Sequence, residues 1–296
     1  MNRGTRVIEL PAGVRRVRLD RRDVSEIRDA CAGIDVVVHT CAYDRADAEA
    51  IVSALPSGCR LIVLSSQDVY RAFGTALHGG PPIDAVPIDE RAPLRTTRFP
   101  YRGHTELREV DPETYEKIDV EEVCLAHGGV IVRLPMVYGE HDPKRREDFV
   151  LKRIRAGRTR IPIGDGSWLW SRVWVGDVAL AVRAMIEREV VREVLNVAEH
   201  STWCISDWMR RIAEAAGATI EFVRVPDKSL PEDLELSVAN AQHLLVDSSR
   251  ARRLLDWDSR DAGESLLRSV KWHLANPPEE TSPVNFEADD RALANA

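Results

Sequence analysis

Three short, continuously apolar segments constrain the fold of this chain most. They are Asp35–Thr40 (DVVVHT), Arg60–Ser65 (RLIVLS) and Val130–Leu134 (VIVRL). Uninterrupted β-branched and aliphatic residues are typical of strands that are covered on both faces, as in a parallel sheet. Two segments with a helical pattern, Arg45–Leu55 and Tyr115–His127, lie between them. Strands that alternate with helices predict an α/β fold in which right-handed crossovers connect parallel strands.

The pattern changes at two places along the 296 residues. Residues 1–140 hold the strongest strands, residues 141–276 continue with shorter strands and helices, and residues 277–296 are rich in Pro, Glu and Asp. We therefore expect a first α/β domain, a smaller C-terminal lobe with elements that return to the sheet, and a loosely ordered polar tail. Within the first domain, the Pro-, Gly- and Arg-rich stretch Ala72–Gly103 predicts a long loop.

Composition excludes several classes of protein. The net charge of −7 argues against a nucleic-acid-binding surface, and Asp20 and Asp23 interrupt the one Arg-rich cluster, near the N-terminus. The five cysteines are scattered without a C-x-x-C pair, so neither a disulfide framework nor a metal site is predicted. No apolar run approaches the ~20 residues of a membrane span, and no signal-peptide pattern is present. We expect a cytoplasmic protein that binds neither nucleic acid nor a membrane.

Several short motifs occur together and in a fixed order. DVVVHTCAY (Asp35–Tyr43), VLSSQDVY (Val63–Tyr70) and RLPMVYGE (Arg133–Glu140) each join an apolar strand to the turn after it. In the second half follow IPIGDG with VWVGDVA, LNVA, and DSSRARRLLDW. In this order the motifs resemble those of the NAD-dependent epimerase/dehydratase family, which are extended short-chain dehydrogenases/reductases. The resemblance extends from Val14 to about Leu274.

The resemblance implies a Rossmann-like parallel sheet, truncated at its N-terminus, that binds NAD or NADP, and a smaller C-terminal substrate-binding lobe. Ser66 falls on the family's catalytic Ser/Thr, and Tyr115 and Lys117 fall near its Tyr–Lys pair. Arg3 would favour NADP through a charge-assisted contact with the 2′-phosphate. The residues that the resemblance assigns to the cofactor are Arg3, Asp20, Thr40, Cys41, Ala42, Lys117, Pro135 and Val137. It implies no metal.

The N-terminus departs from the family pattern. Family members begin with a strand, a G-x-x-G-x-x-G loop and a helix whose N-terminus holds the pyrophosphate. No such loop occurs in this sequence, and MNRG (Met1–Gly4) resembles the end of the family's second strand. About 35–40 residues of a βαβ start are then missing. Three explanations stay open: a true start further upstream, a rebuilt core, or a partner that completes the sheet.

The spacing of the Tyr–Lys pair also departs from the family pattern. Family members carry Tyr-x-x-x-Lys on a helix, which places the phenol beside an ammonium that lowers its pKa. Here Lys117 takes the lysine position, Glu113 takes the tyrosine position, and Tyr115 lies two residues before the lysine. On a helix Tyr115 would face the opposite side, whereas a helix that starts late would let Tyr115 turn inward. Glu113 is the other candidate for the acid/base.

Each candidate also has a structural interpretation. Ser66 is suited to capping the turn after its strand, and Asp20 to capping a helix. Lys117 fits a solvated helix face, and Glu113 fits the first turn of a helix, where the helix dipole favours a negative charge. Tyr115 fits a packing role at the helix start. The sequence alone leaves these alternatives open.

Two functions of different classes fit the sequence. The first is an NAD(P)-dependent oxidoreductase or isomerase that transfers a hydride on a sugar-like or other small hydroxylated metabolite. Ser66 would bind the reacting oxygen, Lys117 the cofactor ribose, and Tyr115 or Glu113 would move the proton. The second is a non-catalytic binding or regulatory protein on a degenerate fold. A truncated reading of a longer, active enzyme is a third explanation.

The substrate class is less defined than the reaction. Epimerases that act on nucleotide diphosphates usually carry an Arg seven residues before the Asp of V-x-D, and this chain has Trp170 there. The predicted partners are a small-molecule substrate and a second copy of the chain. The family's dimer helices include the Tyr–Lys helix, and the acidic run Glu116–Glu122 opposes a tight self-pairing of that face.

Overall fold

The computed structural model of the chain describes residues 10–78, 81, 83–103, 110–279 and 284–296. The strands are β1 (Val36–His39), β2 (Arg60–Ser66), β3 (Val130–Leu134), β4 (Met136–Tyr138), β5 (Arg160–Ile163), β6 (Arg172–Trp174), β7 (Val194–Asn196) and β8 (Glu221–Arg224). The helices are α1 (Val24–Ala30), α2 (Arg45–Ala54), α3 (Arg71–His78), α4 (Lys117–Ala126), α5 (Asp148–Arg155), α6 (Val175–Glu187), α7 (Ile205–Ala215), α8 (Ser249–Leu255), α9 (Ala262–Ala275) and α10 (Glu287–Ala294).

The described residues form two compact units. Unit 1 contains the described residues up to Tyr70, Leu94–Arg133 and Met185–Leu195. Unit 2 contains the described residues of 71–93, together with Leu134–Ala184 and the chain from Asn196 onward. No helix among the described residues is long and apolar enough to cross a membrane.

The sheet of unit 1 carries the apolar segments on which the fold prediction depends. Its strand order is β1-β2-β3-β7. β1 and β2 pair in parallel, with Val36 opposite Arg60 and His39 opposite Val63. Leu61, Val63 and Ile131 are buried in one core cluster with residues of α1, α2 and α4. The predicted α/β fold with a parallel sheet is confirmed, because these strands are apolar on both faces and helices cover them.

Unit 2 contains two further pairs of parallel strands. β4 pairs with β6, placing Tyr138 opposite Trp174, and β5 pairs with β8. Helices α5 and α9 pack against α7, whose apolar face buries Trp208 and Met209. Ionisable groups are also buried here: the Tyr138 hydroxyl donates to Glu199 at 2.6 Å. Unit 2 is therefore a second packed body with polar groups in its core.

One segment that the sequence predicts as loop is partly helical. Helix α3 occupies Arg71–His78, inside the predicted loop Ala72–Gly103. Ala72 and Ala76 are buried and lie four residues apart, so they form the packed side of the helix. Asn240 donates to the Ala76 carbonyl at 2.8 Å, near the end of this helix. The loop prediction was wrong over these residues because the apolar pattern spans only two turns.

The prediction of a loosely ordered tail was also wrong in part. Residues Glu287–Ala294 form α10. Asp289 on α10 is buried and accepts two hydrogen bonds from Arg153, at 2.6 Å and 2.8 Å. Ala292, three residues further on the same face, is buried as well. The polar sequence did not predict this helix, because a buried ion pair supplies much of its attachment.

Candidate active site

Two strand ends and one helix start define the candidate site, all within unit 1. Because β1 and β2 are parallel, their carboxyl ends lie at the same edge of the sheet. Thr40 and Cys41 follow β1 and are exposed, and a 3₁₀ turn, Gln67–Val69, follows β2. In open α/β sheets this edge is where ligands bind.

Helix α4 begins later than the sequence predicts. Its first residue is Lys117, and Glu116 caps it by accepting a hydrogen bond from the Ile118 amide at 3.0 Å. Glu116 is fully buried and also accepts from the Phe99 amide, at 2.7 Å. The Arg95 guanidinium binds both of its carboxylate oxygens, at 2.5 Å and 2.9 Å. These contacts fix the N-cap of α4 at Glu116, so Tyr115 lies before the helix.

Tyr115 consequently turns inward, as the late helix start allows. Its ring is 8% exposed, and its hydroxyl donates to Asp68 Oδ2 at 2.7 Å. Asp68 belongs to the turn after β2 and is itself 2% exposed. Ser66 accepts from the Asp68 amide at 3.2 Å, and its hydroxyl opposes the rise in the pKa of the Tyr115 phenol. Tyr101 also donates to Asp68 Oδ2, at 3.2 Å. The structure brings the predicted Ser66 and Tyr115 together.

Burial changes the proton affinity of this cluster. Desolvation raises the pKa of the Asp68 carboxyl, and the Tyr115 hydrogen bond and the charges of Arg95 and Lys117 oppose that rise. Desolvation, followed by the charge of Asp68, raises the pKa of Tyr115 well above 10. The pKa of Tyr101 is raised for the same two reasons. Tyr115 is therefore held as a neutral phenol and is a weaker acid than an exposed tyrosine.

Lys117 is buried, and its position explains its contacts. Its ammonium donates to the carbonyls of Ala42, after β1, and of Leu64, in β2. Desolvation lowers the pKa of Lys117, and the negative charge of Asp68 is the largest effect in the opposite direction. The ammonium also lies 5.1 Å from the centre of the Tyr43 ring. Lys117 thus joins the two strand ends beside the Ser66–Tyr115–Asp68 cluster rather than facing solvent.

Two buried polar atoms in the same turn have no hydrogen-bond partner among the described residues. They are Gln67 Nε2 and Asp68 Oδ1. Such atoms in native proteins commonly bind a water molecule or a ligand. An amide donor and a carboxylate acceptor together match the hydrogen-bonding capacity of a hydroxyl group.

The other residues that were predicted from the sequence lie apart from this cluster or outside the described residues. Glu113 is exposed, accepts from the Gly103 amide at 2.9 Å, and pairs with Arg102. Asp20 is exposed and accepts from the Arg22 amide. Arg3 lies outside the described residues. Pro135 and Val137 belong to unit 2. Within the described chain no group of three or more His, Cys, Asp or Glu side chains is arranged to hold a metal ion.

Sequence reasoning missed three of the residues that build the site. Asp68 could have been found, since it lies in the same SSQDVY turn as Ser66. Arg95 and Tyr101 could not, because they lie in a stretch without periodicity, 20 and 14 residues before Tyr115 in sequence. Their contacts with Glu116 and Asp68 depend on how the chain folds back.

The fold and the site define a class of protein. A parallel sheet flanked by helices, with Ser, Tyr and Lys at its carboxyl edge, is a Rossmann-like α/β architecture. The chain belongs to the NAD dependent epimerase/dehydratase family, whose sequence model matches residues 2–198. No curated protein matches it in a sequence search.

Solved structures share the fold at low sequence identity. dTDP-glucose 4,6-dehydratase from Bacillus anthracis str. Ames, in complex with NAD, aligns with a TM-score of 0.63 and 15% identity over 88% of this chain and 80% of that chain. RMD from Pseudomonas aeruginosa, complexed with NADPH, gives 0.63 and 17% over 90% of both chains. UDP-glucose 4-epimerase from Thermotoga maritima, with UDP-glucose, gives 0.62 and 14% over 88% and 85%.

Proposed function

We propose that this chain is an NAD(P)-dependent enzyme of the epimerase/dehydratase type, which transfers a hydride at a hydroxyl-bearing carbon of a sugar-like or other small hydroxylated metabolite. One observation carries the proposal. The phenol of Tyr115 lies in a buried cluster with Ser66 and Asp68, although its sequence spacing to Lys117 is irregular. Family membership supplies the reaction type, and this cluster supplies a proton donor for it.

The residues at the carboxyl edge of the sheet fit the nicotinamide end of a dinucleotide. Thr40 and Cys41 are exposed there, and Ala42 and Lys117 lie just behind them. When bound, the nicotinamide would supply the hydride acceptor or donor. Pro135, Val137, Asp20 and Arg3 are the further candidates for contacts with the cofactor.

Each side chain of the cluster has one role in this scheme. Ser66 donates a hydrogen bond to the reacting oxygen of the substrate. Tyr115 gives its proton to that oxygen when a carbonyl is reduced, and takes it back when an alcohol is oxidised. Lys117 fixes the edge of the sheet through the Ala42 and Leu64 carbonyls, and its third N–H bond is available to a ribose hydroxyl. Asp68 aligns the Tyr115 hydroxyl.

A specific observation favours a second candidate function. Lys117 gives two of its donors to main-chain carbonyls, and the pKa of Tyr115 is raised rather than lowered. Both features are expected of a site that has become structural. The second candidate is therefore a binding or regulatory protein on the same fold, which holds a nucleotide or a metabolite without turnover.

Titration of the protein with NAD(H) and NADP(H), followed by heat or thermal stabilisation, tests whether the chain binds the cofactor. A ligand at 100 times its dissociation constant stabilises the folded state by about 2.7 kcal/mol. We expect saturable binding that Lys117→Met weakens and that the exposed control Lys271→Met leaves unchanged. Binding of neither cofactor at millimolar concentration would contradict both the enzyme proposal and any nicotinamide-dependent binding role.

Turnover separates the enzyme from the binding protein. UDP-glucose and UDP-glucuronic acid, which accompany two of the similar structures, are suitable first probes for nicotinamide absorbance and product analysis. If either is a substrate, we expect Tyr115→Phe to lower kcat by roughly 100-fold or more, since the variant has no proton to give. Tyr138→Phe removes a buried phenol from unit 2 and serves as the control. Cofactor binding without turnover of any hydroxylated probe would favour the second candidate.

A further inference from the structure

Two tyrosines share one carboxylate oxygen in unit 1. The hydroxyls of Tyr101 and Tyr115 both donate to Asp68 Oδ2, at 3.2 Å and 2.7 Å. Their rings meet edge to face, with the centroids 5.2 Å apart. Tyr115 and Asp68 are buried, whereas Tyr101 is only partly buried. The three groups form a continuous row that runs from the interior of the cluster to a side chain with solvent access.

We infer that Asp68 and Tyr101 form a proton-transfer chain that restores the proton of Tyr115 from solvent. The inference rests on the proposed function, in which Tyr115 gives its proton to the substrate oxygen. Neither Asp68 Oδ2 nor the Tyr101 hydroxyl contacts substrate or cofactor in this scheme. They are positioning residues that act through Tyr115.

The transfer is balanced at each oxygen. Once Tyr115 has lost its proton, the O–H bond of Tyr101 breaks and an Oδ2–H bond forms on Asp68. That Oδ2–H bond then breaks as the O–H bond of Tyr115 forms again. The Tyr101 oxygen takes a proton from water or from a buffer acid. One solvent proton thus replaces the proton that went to the substrate, and no electron moves.

The surroundings of Asp68 suit it to this transient role. Burial makes the carboxyl more ready to hold a proton than an exposed carboxyl would be. The positive charges of Arg95 and Lys117 act against that tendency. Arg95 also donates to the Asp68 carbonyl at 2.9 Å and so fixes the turn that carries the carboxyl. The hydroxyl of Ser66 and the two phenols complete the polar groups around it.

The exchange of the Tyr115 hydroxyl proton with solvent tests the proton-transfer chain without a substrate. The protein has five tyrosines, so ¹³Cζ labelling gives five signals, each assigned by a Tyr→Phe variant. In mixed H₂O and D₂O, a hydroxyl that exchanges slowly gives two signals and one that exchanges rapidly gives a single averaged signal. We expect Tyr101→Phe to slow the exchange of the Tyr115 hydroxyl by about tenfold or more, a barrier increase of about 1.4 kcal/mol. Tyr138→Phe should leave it unchanged.

Asp68→Asn is the second variant, and it should slow the Tyr115 exchange even if the packing around Tyr101 adjusts in Tyr101→Phe. The signals of the remaining tyrosines report whether each variant is folded. An unchanged Tyr115 exchange rate in both folded variants would overturn the inference. Failure of the proposed function appears separately, as the absence of cofactor binding or turnover in the unmodified protein.

Where turnover exists, Tyr101→Phe should complete a first turnover normally and then slow, with rescue by imidazole. An unslowed steady state in Tyr101→Phe would likewise overturn the relay.

Discussion

At the scale of single residues, the position of Tyr115 depends on an ion pair that touches neither substrate nor cofactor in the proposed scheme. Arg95 and Glu116 have side chains that are 4% and 0% exposed and are joined by two hydrogen bonds. Glu116 ends the non-helical segment and begins α4, so the pair decides which residues precede the helix. A buried charge whose partner is removed is left without compensation, and that loss is costlier than the loss of an exposed pair.

We therefore expect Arg95→Met to lower the free energy of unfolding by roughly 3–5 kcal/mol. Arg98→Met is the matched control. Arg98 binds the same carboxylate at 3.2 Å, but its side chain is 38% exposed, so its loss should cost about 1 kcal/mol or less. Urea unfolding at constant pH measures both. Equal effects of the two variants would show that burial does not govern the Glu116 contact.

Two buried glutamates in unit 2 make the stability of the protein depend on pH. Burial raises the pKa of Glu147 and of Glu199 to about 7. Glu147 accepts from Ser269 and lies 3.6 Å from the His273 ring nitrogen, while Glu199 accepts from Tyr138. An unfolded glutamate loses its proton near its ordinary value of 4.5. Between these values the folded protein holds protons that the unfolded chain has lost.

It follows that stability contributed by the neutral glutamates is present below about pH 4.5 and is lost as the pH rises through about 7. Glu147→Gln keeps a neutral side chain at every pH. The free energy of unfolding of the variant should therefore rise relative to that of the unmodified protein as the pH rises from 5 to 8. The expected relative gain is on the order of 3 kcal/mol. The control Glu221→Gln, at an exposed site, should show little change. A pH-independent difference for Glu147→Gln would contradict the raised pKa.

At the scale of elements, the hydrophobic pattern predicted the buried strands. It did not predict the start of α4 or the helix α10, both of which depend on ion pairs. β1, β2 and β3 lie where their apolar runs predict them, because burial on both faces requires apolar residues at every position. The start of α4 was shifted by two residues, since its cap depends on Arg95, which is distant in sequence. Helix α10 was missed because a buried Arg–Asp pair holds its polar sequence in place.

The attachment of α10 can be tested with adjacent residues. Asp289 is buried against Arg153, whereas Asp290 pairs with Arg158 and its side chain is 63% exposed. We expect Asp289→Asn to destabilise the protein by about 3 kcal/mol, because it leaves the charge of a buried guanidinium partly uncompensated. Asp290→Asn should cost about 1 kcal/mol or less. Thermal unfolding combined with hydrogen exchange of the α10 amides measures the two. Similar losses for both would mean that this ion pair does not attach the helix.

At the scale of the whole molecule, the family predicted from the sequence is confirmed, and the site remains a prediction. Ser66, Lys117 and Tyr115 are local to recognisable segments, and the structure gathers them in unit 1. Asp68 sits beside Ser66 in sequence, but its importance follows only from the phenols that bond to it. Tyr101 and Arg95 reach the site through an irregular segment for which no periodic rule exists. All catalytic and cofactor assignments stay predictions, as do the domain boundaries and a homodimer.

The late start of α4 has a consequence for how chains like this are recognised in genomes. A search pattern that requires a tyrosine four residues before a lysine would pass over this sequence and score its site as inactive. In this chain the phenol bonds to the turn that carries Ser66 from the segment before the helix, because Glu116 caps that helix and Arg95 binds Glu116. A pattern built on Tyr-Glu-Lys, an upstream arginine and the Ser-Ser-Gln-Asp turn would collect chains of this arrangement. Whether such chains form a separate lineage can then be read from their distribution among species.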